Sequence, residues 1–369
     1  MLTNSNLLTN DTYRIGQQIS APSSPGSNYL ECLGQVLAQA DYPALYSAIG
    51  LIKAPARLIF GETALSSRVW TNVWCADGLA VFVGANGKIA VQNLETRVVT
   101  EYNGPNTSIQ LEDVYYDSTA DLWVAVGASG QIWTAPDPAS TWTSRTSGVA
   151  VTLYGVTRLG TTWIVVGASG KILTASDATS TWTAQTSGTA VNLTGVTNNG
   201  TTAVAVGASG TILSSTNGTD WTSRTSGVTI DLSHVVYDST AGKFATGSSP
   251  ILTSTAGSSW TNVPWDSYDA DSTYPYAKLC SYAGKLYLSP QIYGRVRVYD
   301  LSTGEQTFGD GCTSQPTGIG TDGERLWVLR AGSQFTYEID AANYTTSTQF
   351  ALPNTSRPSR GDRRWVRAS

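Results

Sequence analysis

The densest chemistry in the chain sits in one stretch, "PWDSYDADSTYPY" (264–276). There Asp266, Asp269 and Asp271 stand among Trp265, Tyr268, Tyr274 and Tyr276. Rings stack on the apolar face of a sugar while carboxylates accept its hydroxyl hydrogens, so this mixture suits a saccharide. Clustered carboxylate oxygens are also the donor type that Ca²⁺ takes. The competing reading is a solvated loop whose rings pack on a rim. These seven residues are the candidate glycan contacts, and no metal is assigned to them.

The remaining reactive groups are scattered. Arg145 and Arg224 stand in two copies of "WTSRTSG", and Gln185 holds the matching place between them. The one histidine, His234, lies in "DLSHVVYD", which makes a Ser-His-Asp or Cys-His catalytic set implausible; its default role is packing or surface. No HExxH, P-loop or dinucleotide fingerprint occurs. Cys32, Cys75, Cys280 and Cys312 show no paired spacing, which argues for free thiols rather than structural zinc. The chain therefore reads as a non-enzyme without a cofactor.

Charge excludes further classes. Charged residues make up 13% and the formal net charge is −5, whereas nucleic acid or an anionic membrane calls for clustered positive charge. The only dense basic run is Arg357 to Arg367, and the Arg360-Gly361-Asp362 tripeptide inside it is assigned no function. No apolar run nears the ~20 residues of a membrane span. "MLTNSNLLTNDTYR" also lacks the pattern of an export signal, so neither membrane insertion nor secretion is expected.

A repeat dominates the middle of the chain. "VGASG" places its first glycine at Gly127, Gly167 and Gly207, in steps of 40, and a degenerate "TGSSP" adds Gly247. Trp142, Trp182, Trp221 and Trp260 follow in step. Between these markers run short segments rich in β-branched and aromatic residues, separated by Gly, Asn, Asp and Ser turns. That pattern predicts a four-stranded meander. "WIVV" and "AVAV" are almost wholly apolar, as for strands covered on both faces. Hairpins between first and second strands recur as "CADGLAVF", "DSTADLWV", "RLGTTWIV", "NNGTTAVA", "STAGKFAT", "YAGKLYLS" and "TDGERLWV". One meander cannot bury both its faces, so the copies must stack, and a closed ring leaves no end exposed. The expectation is an all-β chain with a seven-bladed β-propeller over residues 61–349.

The turn before the fourth strand, "STNGTDW" (215–221), with "STAGSSW" (254–260) as a near match, resembles the Asp-box, or BNR, hairpin of sialidase-like propellers. The resemblance implies the fold and not the activity. A sialidase-like site would need arginines converging on one pocket, and Arg145 and Arg224 are expected on the rim instead.

The two ends resemble a second family. "YLECLGQVL" and "DYPALYSAIG" place Tyr29, Leu30, Cys32, Gly34, Tyr42, Pro43, Leu45, Ile49 and Gly50 where phage tail-collar modules carry a hairpin and a "YPaLfxxIG" helix. Leu33 departs from the usual Asp. The closing block supplies Phe350, Leu352, Pro353 and Asn354, then Trp365, Val366, Arg367 and Ala368, in place of that family's "F-x-L-P-D/N-L" and "YIRA" segments. The resemblance implies a small α+β collar-like module made of residues 1–60 and 350–369, with the propeller inserted between. It further implies a bacteriophage tail fibre or tail-tip protein, located in the virion and assembled in the bacterial cytoplasm. The expected partners are other tail proteins, a host-surface glycan or protein receptor, and further copies of the chain, a trimer foremost. The alternatives are a virion decoration or adaptor protein with a purely structural propeller and, behind it, a glycan-cleaving sialidase-like enzyme.

Overall fold

The computed structural model describes residues 18–21, 29–31, 69–96, 98–247, 250–263, 276–290, 294–312, 316–321, 325–330, 337–340 and 363–367. The chain divides into two compact units, Met1–Arg57 with Thr345–Ser369, and Leu58–Tyr344.

In the first unit, β1 (Gln18–Ala21), β2 (Tyr29–Glu31) and the chain's last strand, β30 (Arg363–Arg367), form a three-stranded sheet with β30 in the middle. Both pairings are antiparallel, Ile19 opposite Trp365 and Leu30 opposite Val366. Two segments more than 300 residues apart thus share one ladder. The helix expected over "DYPALYSAIG", with Tyr42, Pro43, Leu45 and Gly50, and the block with Phe350 and Pro353 lie outside the described residues.

The second unit is all-β. Blade one holds β3 (Trp70–Ala76), β4 (Leu79–Gly84), β5 (Lys88–Asn93) and β6 (Val99–Asn103). Blade two holds β7 (Leu111–Asp117), β8 (Leu122–Gly127), β9 (Ile132–Ala135) and β10 (Thr143–Arg145). Blade three holds β11 (Leu153–Leu159), β12 (Thr162–Gly167), β13 (Ile172–Ala175) and β14 (Thr183–Gln185). Blade four holds β15 (Leu193–Asn198), β16 (Ala203–Gly207), β17 (Ile212–Ser215) and β18 (Thr222–Arg224). Blade five holds β19 (Val235–Asp238), β20 (Lys243–Gly247), β21 (Ile251–Ser254) and β22 (Thr261–Val263). Blade six holds β23 (Tyr276–Tyr282), β24 (Lys285–Pro290), β25 (Gly294–Asp300) and β26 (Gln306–Cys312). Each is an antiparallel meander in chain order.

The expectation of seven four-stranded blades is corrected to six. Between blade six and blade one stands a three-stranded sheet, β27 (Pro316–Thr321), β28 (Arg325–Arg330) and β29 (Tyr337–Asp340). Its β27 contacts both β23 and β3, which closes the ring. The sequence after Asp340 that would have to supply a fourth strand lies outside the described residues.

The repeat motifs do separate jobs. In "VGASG" a tight 3-10 turn joins second to third strand, with Ser129, Ser169 and Ser209 all near φ +56°. Its first glycine is needed for space: a Cβ on Gly127 would strike the Gln110 carbonyl oxygen. The Asp-box turn is locked by its own side chains. Gly218 N donates to Ser215 Oγ at 2.8 Å, Asp220 N donates to Asn217 Oδ1 at 2.9 Å, and Trp221 Nε1 donates to the Gly218 carbonyl at 2.9 Å. Gly218 combines φ +81° with contact to the neighbouring blade, because a Cβ there would lie 3.0 Å from Ile164 Cδ1. Gly218→Ala is therefore expected to cost about 1–2 kcal/mol, read as a lower urea midpoint at unchanged m-value.

The core lies between blades more than within them. Val124, Val126 and Ile132 of blade two pack with Leu153, Val156, Trp163 and Leu173 of blade three. Ile164, Val166 and Ile172 of blade three pack in turn with Leu193, Val196 and Ala205 of blade four. Polar ties cross these seams and the one between blades one and two. Arg158 pairs with Asp117 at 2.7 Å, Asn198 Nδ2 donates to Thr157 Oγ1 at 2.8 Å, and Thr71 Oγ1 donates to the Leu111 carbonyl at 2.5 Å. This packing holds the innermost strand of every sheet rigidly around the axis, where the candidate site forms.

Candidate functional site: the central channel

Six of the seven inner strands carry the same irregularity. The register shifts between Trp70 and Asn72, Leu111 and Asp113, Leu153 and Gly155, Leu193 and Gly195, Tyr276 and Lys278, and Pro316 and Gly318. A bulge of this kind re-aims the residue beside it. The residues following the shifts are Asn72, Asp113, Gly155, Gly195, Lys278 and Gly318, all polar or without a side chain. In the remaining sheet His234 lies just ahead of β19. Asn72, Asp113 and His234 line a cavity of about 250 Å³ reached by all seven inner strands.

One side of this cavity is internally satisfied. Asn72 Nδ2 donates to Asp113 Oδ1 at 2.5 Å, Val114 N donates to the same oxygen at 2.9 Å, and Val156 N of the next blade donates to Asp113 Oδ2 at 3.0 Å. Burial still dominates and pushes the Asp113 carboxyl up to about 6, against the pull of those bonds and of the nearby Lys278 charge. Burial raises Glu112 as well, although Gln110 Nε2 donates to it at 2.8 Å.

The opposite side has spare capacity. His234 Nδ1 is buried with no hydrogen-bond partner. Burial, reinforced by the Lys278 charge, drives the imidazole down to about 3, so it is neutral near pH 7. Lys278 bonds to Ser289 through its backbone only, and among the described residues its ammonium forms no ion pair. Its charge nonetheless bears on Glu112, Asp113 and His234 together. Further along the channel, Trp74 is 37% exposed and rests on Tyr115 with ring centroids 4.7 Å apart. Tyr115 meets the edge of Trp163 at 6.1 Å. Cys75 and Cys280 also line the cavity, neither of them in a disulfide, and burial pushes the Cys280 thiol well up, away from nucleophilic reactivity.

Most of the residues singled out from sequence are not among the described ones. Trp265, Asp266, Tyr268, Asp269, Asp271 and Tyr274 lie outside the described residues, and Tyr276 is described only as the first residue of β23. Trp365 and Arg367 are strand residues of β30. Arg145 and Arg224 sit on fourth strands of different blades, each tied to its neighbouring third strand: Arg145 Nε to Thr134 Oγ1 at 2.9 Å, Arg224 Nε to Ser214 Oγ at 2.8 Å. Gln185 makes the same contact with Thr174 Oγ1 at 2.7 Å. These three brace strands and do not converge. His234, whose default reading from sequence is packing or surface, is buried and lines the channel. Asn72, Asp113 and Lys278 were missed. Their signal lies in aligned first strands, "TNVWC", "EDVYY", "YGVTR", "TGVTN", "SHVVY", "AKLCS" and "TGIGT", whose second column varies beside a constant aliphatic third. Among the described residues no group of three or more His, Cys, Asp or Glu could hold a metal ion, and no helix is long and apolar enough to cross a membrane.

No protein-family model matches the chain, and no curated protein matches it. Solved structures do. YCF48 from Cyanidioschyzon merolae is similar at 12% identity and TM-score 0.61, over 79% of this chain and 100% of that one. A structure of YCF48 bound to D1 peptide is similar at 12% and 0.63, over 80% and 99%. The β-propeller domain of Cps50 (Swd1) from Myceliophteria thermophila is similar at 9% and 0.62, over 78% and 100%. At such identities the likeness shows the all-β propeller fold and nothing finer.

Proposed function

We propose that the chain is a structural protein of a bacteriophage tail, a fibre or tip component, whose propeller binds the host surface. The observation that carries the reading is the sheet in which Arg363–Arg367 lies between Gln18–Ala21 and Tyr29–Glu31. Segments that resemble the two halves of a tail-collar module at opposite ends of the chain belong to one folding unit, with the propeller sequence between them. A ring is suited to such insertion because it closes where it began. On this reading the terminal module attaches to other tail proteins and associates with further copies, a trimer foremost. Binding falls to the propeller, a rigid frame with an axial cavity that holds unsatisfied polar groups. That one similar propeller is described as bound to a peptide supports a binding role for the fold.

The purified chain is expected to block adsorption of its phage to host cells in a dose-dependent way, and mass spectrometry with cryo-electron microscopy of the virion to locate it in the tail. Absence from the virion sinks the proposal. Presence without any cell binding favours the second reading, in which the propeller is only a structural part.

A further inference from the structure

We propose that the channel cavity is a binding site for an uncharged pyranose sugar unit. The inference rests on the reading of the propeller as a binding module and gives that module a ligand class.

Three observations fix the chemistry. First, the charge is balanced. The Asp113 carboxylate already accepts three hydrogen bonds and lies within reach of the Lys278 charge, so the cavity does not call for an ionic ligand. Second, the cavity wall holds a neutral, two-way group: His234 brings a ring with a buried, unpartnered nitrogen. Beside it the wall is open: glycine stands at 155, where blade two has Asp113, and a Cβ there would lie 3.1 Å from Val196 N. A sugar hydroxyl both accepts and donates, so it pairs with the His234 nitrogen in either tautomer, which neither a carboxylate nor an ammonium does. Third, Trp74 is unusually open for a ring inside a channel, and Tyr115 braces it from behind. An open indole beside polar groups offers the stacking face that the apolar side of a pyranose takes.

Size decides how much of a glycan enters. The cavity, about 250 Å³, lies just below the ~300–1,000 Å³ of typical small-molecule sites. It accommodates one sugar ring and not a folded chain segment.

The test uses the full chain and methyl glycosides of glucose, galactose and mannose, followed by isothermal titration calorimetry and saturation-transfer NMR, with glucuronate and acetate as charged comparisons. At least one glycoside is expected to bind in the millimolar range, as single sugars do. Trp74→Ala is expected to weaken it tenfold or more, with Trp74→Phe recovering most of the loss and His234→Ala costing severalfold. Far-UV circular dichroism establishes that each variant is folded. Binding by none of the glycosides overturns the proposal, as does binding unchanged in Trp74→Ala. Glucuronate binding tenfold tighter than the best glycoside overturns the uncharged ligand. If the chain blocks adsorption yet binds no glycoside, this inference fails alone and the tail reading stands.

Discussion

Replacing Trp163 with alanine is expected to lower the unfolding free energy of the propeller by about 3–5 kcal/mol, the usual cost of emptying a large buried aromatic site. Trp163 is 1% exposed on the second strand of blade three. Its neighbours come from two blades: Val124 and Val126 from blade two, Val165 and Leu173 from its own. The edge of its ring meets Tyr115 from across the seam at 6.1 Å, and the Arg158 guanidinium lies 5.7 Å from its centroid. Arg158 in turn pairs with Asp117 of blade two. The substitution thus removes apolar contact, an aromatic pair and the support of an interblade ion pair together, at a seam where neither blade can cover the other's strands alone. Urea unfolding of the purified chain, followed by tryptophan fluorescence, gives the measurement. Val98→Ala serves as the comparison, because Val98 is 60% exposed and its loss should stay within about 0.5 kcal/mol. A Trp163→Ala cost below about 1.5 kcal/mol would mean that the blades are not held by this seam.

The same seams explain what could be read from sequence. The strands of blades two to five are legible because each motif acts locally. A Gly127-type glycine is needed wherever the chain passes close under a carbonyl, and a Ser215-type turn closes on its own hydroxyl, so both recur at constant spacing. Blade six and the sheet after it were legible only as hairpins. "YAGKLYLS" and "TDGERLWV" mark β23–β24 and β27–β28, while the turn motifs that announce later strands are absent there. That is where the count of four-stranded blades went astray.

The channel was not legible for a different reason. The residues that line it come from seven different strands, and residues such as Asn72 and Asp113, 41 apart in sequence, meet only once the ring has closed. A cluster such as Asp266, Asp269 and Asp271 draws attention because its members are neighbours in the chain. Asn72, Asp113, His234 and Lys278 never are. The ends present the opposite case: β1, β2 and β30 pair across the whole chain, and only motifs known from elsewhere hinted at it.

The channel also makes a pH signature that no single blade would have. Asp113 and His234 are expected to give difference curves of opposite sign when each is replaced by asparagine. For Asp113 the folded value, about 6, is above its ordinary value of 3.8. The folded state holds the proton more tightly, so this contribution is fully present below pH 3.8 and is lost as pH rises through about 6. Stability of the unaltered chain relative to Asp113→Asn should therefore fall by about 3 kcal/mol across that window, at about 1.4 kcal/mol per unit. For His234 the folded value, about 3, is below 6.5. Its contribution is present above pH 6.5 and is lost as pH falls toward 3, so stability relative to His234→Asn should rise with pH, by at most about 1.4 kcal/mol per unit. Lys278, the charged group that acts on both, remains in both variants and largely cancels in the differences. Urea unfolding at half-unit intervals from pH 4 to 7 measures both curves. Between pH 4 and 6 the two effects oppose each other in the unaltered chain, which mutes a dependence that either variant alone exposes. Curves of the same sign, or two flat ones, would mean that Asp113 and His234 are solvated like surface groups, and that burial in the channel does not set their titration.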